Sequence, residues 1–200
     1  MKAKIKTNKL KWAVIPLLII IPLFALLIVN QEDDLMKTDN IPQIQVTSDA
    51  FVDGGDIPKQ YTGFGNDISP SLNLSSIDDD AVSIAIVMDD MGHPIPAYNH
   101  WVIWNIPVME QIPENIPYGA VVESLAGAVQ GVGYGKNRYR GPKPPAFMRG
   151  THQYVFHVFV IDCMLELNST SKKKDLIKAM DGHVLQYGSI TGVWNNSYLD

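Results

Sequence analysis

The sequence predicts a β-rich sandwich with peripheral helices, and three observations carry that expectation. Apolar, β-branched runs recur at Ala81 to Met88, His100 to Ile106 and Gln153 to Ile161. The loops between them are punctuated by Gly and Pro, 15 and 13 residues of the 200. Only one stretch, late in the chain, repeats its apolar residues at helical spacing. Many strands, stiff loops and one late helix fit two packed β layers with helix at the periphery.

The folded domain is predicted to start near Gln43, with Ile44, Val46 and Phe51 marking a first strand. Asp53-Gly54-Gly55-Asp56 reads as a turn. The run Ala81 to Met88 reads as a buried strand, and so do the two later runs. Both faces of Gln153 to Ile161 are largely apolar, which requires cover on both sides. For the helix, Ser169, Thr170 and Ser171 offer N-caps, Leu176, Ile177, Ala179 and Met180 form the stripe, and Gly182 can end it. Lys172 to Lys174 reads as its solvated face. After it, Val184-Leu185 reads as a short helix or turn and Ser189 to Trp194 as a final strand.

The first thirty residues stand apart. Lys2, Lys4, Lys6, Lys9 and Lys11 precede an uncharged run from Trp12 to Asn30, long enough as a helix to cover the hydrocarbon thickness of a bilayer. No small-x-small site ends the run, so residues 1–30 read as an uncleaved signal anchor, with a cleaved signal peptide as the alternative. The lysines hold that end inside, which predicts a membrane-anchored, extracytoplasmic domain, or a secreted one after cleavage. Residues 31–42 read as a tether and 43–200 as the domain. Beyond Asn30 the chain has eleven Lys and Arg against twenty-one Asp and Glu, a net charge of −10. Such a domain is repelled by nucleic acid, which argues against a DNA- or RNA-binding role. Cys163 is the single cysteine, so the chain can form no disulfide within itself and no zinc site of several thiolates. It reads as an inert thiol in a buried strand.

Two stretches carry the chemistry. Asp89-Asp90-Met91-Gly92-His93-Pro94 leads into Asn99-His100-Trp101, and Gly141-Pro142-Lys143-Pro144-Pro145 leads into Thr151-His152-Gln153-Tyr154-Val155-Phe156. Asp90 follows a strand, His100 opens one, and His152 and Tyr154 share a strand face by alternation. Imidazole and phenol both donate to a phosphate or carboxylate oxygen. Asp90 can orient an imidazole or accept from an ammonium group. Gly141 would let a ligand approach the backbone, and Pro142 would stiffen that loop. His157 has the opposite parity and is expected on the other face; Asp89 is expected in a turn. The spacing of Gly131, Gly133 and Gly135 lacks the strand-to-helix context of a dinucleotide site.

The order acidic-x-x-x-Pro, His-Trp, Gly-Pro-x-Pro-Pro and His-x-Tyr-x-Phe, from about Thr47 to Trp194, resembles the phosphatidylethanolamine-binding protein family in its bacterial Raf-kinase-inhibitor-like branch. The resemblance implies a mainly β sandwich of a large central antiparallel sheet and a smaller one, with helix near the C-terminus. It implies a shallow pocket for a phosphate-type ligand or phospholipid head group, lined by Asp90, Pro94, His100, Gly141, Pro142, His152 and Tyr154. Inhibition of a protein partner, such as a protease, is also implied. No cofactor, metal or catalytic residue is expected. The family's Asp-Pro-Asp-Ala-Pro motif departs here at its second Asp, where this chain has Gly92, and at its first Pro, where it has Met91. The alternative is a hydrolase or metal-dependent enzyme using Asp90, His100 and His152, a set that could ligate an ion with one position open.

Overall fold

The computed structural model describes residues 37–196. The architecture below is that of the unit that begins at Met36. Ten strands and one α-helix follow in order: β1 (Gln45–Thr47), β2 (Gly55–Asp56), β3 (Leu72–Ser75), β4 (Ser83–Asp90), β5 (Tyr98–Ile106), β6 (Gln111–Ile112), β7 (Val121–Val122), β8 (Ala128–Gln130), β9 (Thr151–Ile161), α1 (Lys173–Met180) and β10 (Val184–Asn195). They form a seven-stranded sheet, ordered β2-β10-β9-β4-β5-β8-β7, and a three-stranded sheet, β1-β3-β6. Pairing is antiparallel except at the edge of the large sheet, where β2 runs parallel to β10. This is the mainly β sandwich of a large and a small sheet that the sequence predicts.

The alternation of β4 shows why its run is apolar throughout. Ile84, Ile86 and Met88 face the small sheet and pack with Val46, Leu72, Leu74, Ile103, Phe156 and Val158. Ala85 and Val87 face the other way, toward Trp104, Phe159, Leu176 and Met180. The central strands are thus buried on both faces, by a second sheet and by α1. Eight consecutive β4 residues are buried, and at roughly 25 cal/mol per Å² this double cover is the main stabilising contribution of the fold.

The structure moves several boundaries. β4 extends two residues past Met88, so Asp89 is a fully buried strand residue rather than a turn residue. Residues 184–195 form one strand, with an irregularity at Leu185, because pairing with β9 from Gln186 to Asn195 and at Val184 holds the backbone extended. Helix α1 starts at Lys173, and its entry is closed by Asp175, which accepts from the Lys172 amide at 2.9 Å, not by the Ser169–Ser171 hydroxyls. Lys173 is buried instead of solvated. Cys163 lies just beyond the end of β9 and is half-buried, not within a strand.

The transmembrane and signal-anchor expectation is also corrected: among the described residues no helix is long and apolar enough to cross a membrane. Residues 1–36, which carry the apolar run and half of the tether, lie outside the described residues.

Candidate functional site

Strand register brings the chemistry of two distant sequence stretches to one sheet edge. Asp90, the last residue of β4, stands opposite Tyr154 on β9 and opposite Tyr98 on β5. On β9, His152 and Tyr154 alternate with Gln153 and share the face of Phe156, which looks toward the small sheet. The His152 Nδ1 lies 2.9 Å and 3.1 Å from the two Asp90 carboxylate oxygens. The Gly92 amide donates to Asp90 Oδ1 at 2.8 Å. Asp90 and His152 are both buried, so the pair is a desolvated one held by charge-assisted hydrogen bonding.

His100 reaches the same face only because β5 is irregular. Trp101 pairs with Met88 and Asn99 with Asp89, so one extra residue, His100, is accommodated between two successive positions of β4. Such a bulge re-aims a side chain. Without it, alternation would place His100 with Val102 and Trp104 on the helix side. The Asn99 amide closes the bulge, donating to the Met88 and Trp101 carbonyls and to Asp89 Oδ1, each at 3.1 Å.

The protonation of His100 follows from its partners. Its Nδ1 lies 2.8 Å from the Arg140 carbonyl, which can only accept, so Nδ1 carries a proton. Burial pushes its pKa below the ordinary 6.5, opposed by that hydrogen bond and by the Asp90 charge. Neutral His100 therefore presents a lone pair at Nε2, 4.0 Å from Asp90 Oδ2. Two acceptors facing each other across that gap leave room for a donor between them. The Tyr154 ring packs edge-on against His100 at 5.2 Å. Its hydroxyl is buried and makes no hydrogen bond of normal geometry. Burial first, then the Asp90 charge, pushes the phenol well above its ordinary 10.0, so it remains a donor.

These groups open into a cavity of about 240 Å³ lined by Asp90, His93, His100, Tyr134, Lys143 and Tyr154, with a wall from Pro144 to Met148. A smaller recess of about 60 Å³ shares His100, Tyr134 and Lys143 and adds Arg140 and Gly141. Of the residues that the sequence proposes, Asp90, His100 and Tyr154 line the main cavity and Gly141 the recess. His152 stands behind Asp90, while Pro94 and Pro142 are not among the lining residues of either space. The backbone contact at Gly141 is internal: a Cβ there would run into the Tyr61 carbonyl. His157 faces the opposite side of the sheet, as its parity predicts, and contacts the Tyr187 hydroxyl at 2.8 Å.

Sequence reasoning passes over Tyr134, Lys143, Phe147 and Asp67. Asp67 fixes the basic loop: it accepts from Arg138 at 3.0 Å, lies 3.8 Å from Arg140 and receives the Gly141 amide at 2.8 Å. Arg140 in turn covers the Tyr134 ring at 4.9 Å. One signal is visible in retrospect. Residues 136–149 hold five Lys and Arg and no acid in an otherwise acidic domain, and that stretch forms the pocket rim.

In this chain a side chain at Gly92 would collide with His152. A Cβ at Gly92 would sit 2.9 Å from His152 Cα and 3.1 Å from its ring. Gly92→Asp is therefore expected to displace His152 from Asp90 and to lower stability by about 1–3 kcal/mol. Chemical unfolding, with the His152 ring resonances followed by NMR, checks this. Unchanged His152 shifts in the variant would show that the site has room for the second acid.

A sequence model of the phosphatidylethanolamine-binding protein family matches residues 47–195. A UPF0098 protein of Pyrococcus abyssi is 40% identical over 139 residues, covering 69% of this chain and 78% of its own. Its counterpart in Pyrococcus horikoshii is 38% identical over 148 residues, 74% of each chain. Among solved structures, a phosphatidylethanolamine-binding protein homologue from Chlamydia trachomatis has a TM-score of 0.66 at 31% identity, over 76% of this chain and 97% of that one. YbcL of Escherichia coli has a TM-score of 0.64 at 25% identity, over 76% and 98%.

Proposed function

This chain belongs to the phosphatidylethanolamine-binding protein family, and from that premise we propose that its cavity binds a small ligand with a phosphate-type anionic group. The observation that carries the reading is the Tyr154 hydroxyl, a buried donor on the cavity wall that makes no hydrogen bond of normal geometry beyond a loose interaction with the Asp90 carboxylate. Lys143, which borders both the cavity and the recess, supplies the positive charge beside it. Asp90 would repel a bare anion, but its charge is engaged by His152 and by the Gly92 amide. The ligand's anionic oxygen then faces Tyr154 and Lys143, and a donor on the ligand, an ammonium or hydroxyl, fits between Asp90 and His100. The arrangement supports recognition: among the described residues, the hydrogen bonds of His100 and His152 go to the Arg140 carbonyl and to Asp90 and not to a hydroxyl or thiol nucleophile.

Titration calorimetry with a phosphate monoester tests this. Loss of a hydrogen bond to a charged group costs about 1.5–3 kcal/mol, so Tyr154→Phe should weaken binding by about 10- to 100-fold. Equal affinity in the variant would remove Tyr154, and with it the reading. Burial lowers the pKa of His100, so any attraction gained by its protonation sets in at lower pH than for a free imidazole. The same calorimetry across pH should lose that gain with His100→Gln.

A protein partner such as a protease belongs to the same proposal. Phe147 is 84% exposed at the cavity wall, and Ile95 and Met91 are exposed in the loop after Asp90, an apolar rim that a protein surface could cover. Protease inhibition that survives Phe147→Ser would place the partner elsewhere.

A further inference from the structure

We propose that Asp162, Cys163 and His183 form a binding site for a borderline-soft divalent cation of the zinc type, separate from the pocket. The three residues meet where β9 ends and β10 begins, and their sulfur, nitrogen and oxygen ligand atoms all lie within 4.8 Å of one another. Thiolate, imidazole and carboxylate together suit zinc, whereas magnesium and calcium prefer oxygen alone. Zinc bonds of about 2.0–2.3 Å in tetrahedral geometry place ligand atoms roughly 3.3–3.8 Å apart. The side chains therefore need to close by about an ångström, which exposed rotamers allow. Three protein donors leave at least one position for water or another molecule, so this is an open site.

The backbone around it is fixed. The Asp162 amide donates to the His183 carbonyl at 3.1 Å, Val184 is in register with Ile161, and the His183 amide donates to Met180 at 2.9 Å. The buried Ser83 hydroxyl donates to the Cys163 carbonyl at 2.6 Å. Donors carried on strand ends are held more accurately than donors on a free loop. His183 Nδ1 lies 2.8 Å from Asp162 Oδ1, so these two donor atoms already face each other, and an ion bound between them takes the place of the shared proton, which moves to Nε2. Asp162 retains its second oxygen. On binding, the Cys163 thiol transfers its proton to solvent and its sulfur bonds the cation, so one proton is released per ion. From Tyr154 to Asp162 is eight residues of strand, roughly 26 Å at ~3.3 Å per residue. The site is thus remote from the pocket.

Cobalt(II) added to the full chain, kept reduced with a phosphine, tests this. One equivalent should bind with a thiolate-to-cobalt charge-transfer band, and zinc should displace it. Cys163→Ser should abolish the band, and His183→Gln should weaken binding at least about tenfold. Zinc should raise the melting temperature of the natural chain and of the pocket variant Tyr154→Phe, but not of Cys163→Ser. The absence of a band, or a band of unchanged affinity in His183→Gln, would overturn the proposal. So would a zinc-induced rise that survives Cys163→Ser.

Discussion

Lys173→Met should destabilise the domain by about 3–5 kcal/mol, the usual result of removing one partner from a buried ion pair. The Lys173 ammonium donates to Asp89 Oδ2 at 2.7 Å, and Asp89 is wholly buried between β4 and α1. His157 Nε2 stands 3.8 Å from the same oxygen. Burial holds the pKa of His157 below its ordinary value, with the Lys173 charge acting in the same sense and Asp89 against it. Removing Lys173 lifts one of these two causes, but burial, the larger, remains, so His157 replaces the missing cation only in part and Lys173→Met leaves Asp89 poorly compensated in an apolar layer. The flanking Lys172 and Lys174 are exposed, and their substitution should change stability by no more than about 0.5 kcal/mol. Urea denaturation of the three single variants makes the comparison. Equal midpoints would mean that Asp89 is solvated or protonated in the native state. The double variant Asp89→Leu/Lys173→Met should recover part of the loss, since an apolar pair needs no desolvation of charge. Recovery should be incomplete, because Asp89 Oδ1 also accepts from Asn99, whose amide closes the bulge that turns His100 into the pocket.

The adjacent pair Asp89-Asp90 shows what the sequence could and could not reveal. Alternation on a strand sends the two carboxylates to opposite faces, Asp90 to the pocket and Asp89 to α1. That separation requires the strand to continue to Asp90, whereas two acids after an apolar run read locally as a turn. The burial of Lys173 is equally hidden, since one lysine of three can be chosen as a counter-ion only once the helix is docked. His152, Tyr154 and His157 were legible because β9 is regular across them, and parity alone assigns their faces. The position of His100 depends on a one-residue bulge, which no local pattern around Asn99 announces. Tyr134, Lys143 and Phe147 come from loops whose course is set by long-range contacts, above all those of Asp67. The two-sheet architecture was readable for the opposite reason: runs apolar on both faces demand two covering layers.

Gly141→Ala should cost about 3 kcal/mol or more and abolish pocket binding together with it. Overpacking costs about 1–3 kcal/mol when side chains can shift, but the atoms that a Cβ would meet here are backbone. They are the Tyr61 carbonyl oxygen, with Thr62 Cα at 2.9 Å and the Tyr61 carbonyl carbon at 3.0 Å. Neither side can move freely. The Gly141 amide is tied to Asp67, the Pro142 carbonyl accepts from Gly63 at 2.9 Å, and the Tyr139 hydroxyl donates to the Tyr61 carbonyl at 2.8 Å. Separating the two segments therefore breaks hydrogen bonds on both, and the Lys143 to Met148 wall of the cavity moves with them. Gly127→Ala provides the contrast: its φ of +87° strains an alanine, yet no atom lies within 4 Å of the new methyl. That variant should lose only about 1–2 kcal/mol and keep full ligand affinity. Calorimetry and urea denaturation on both variants separate strain from collision. If Gly141→Ala bound a phosphate monoester as the natural chain does, the packing of this loop against Tyr61 would have no part in forming the pocket.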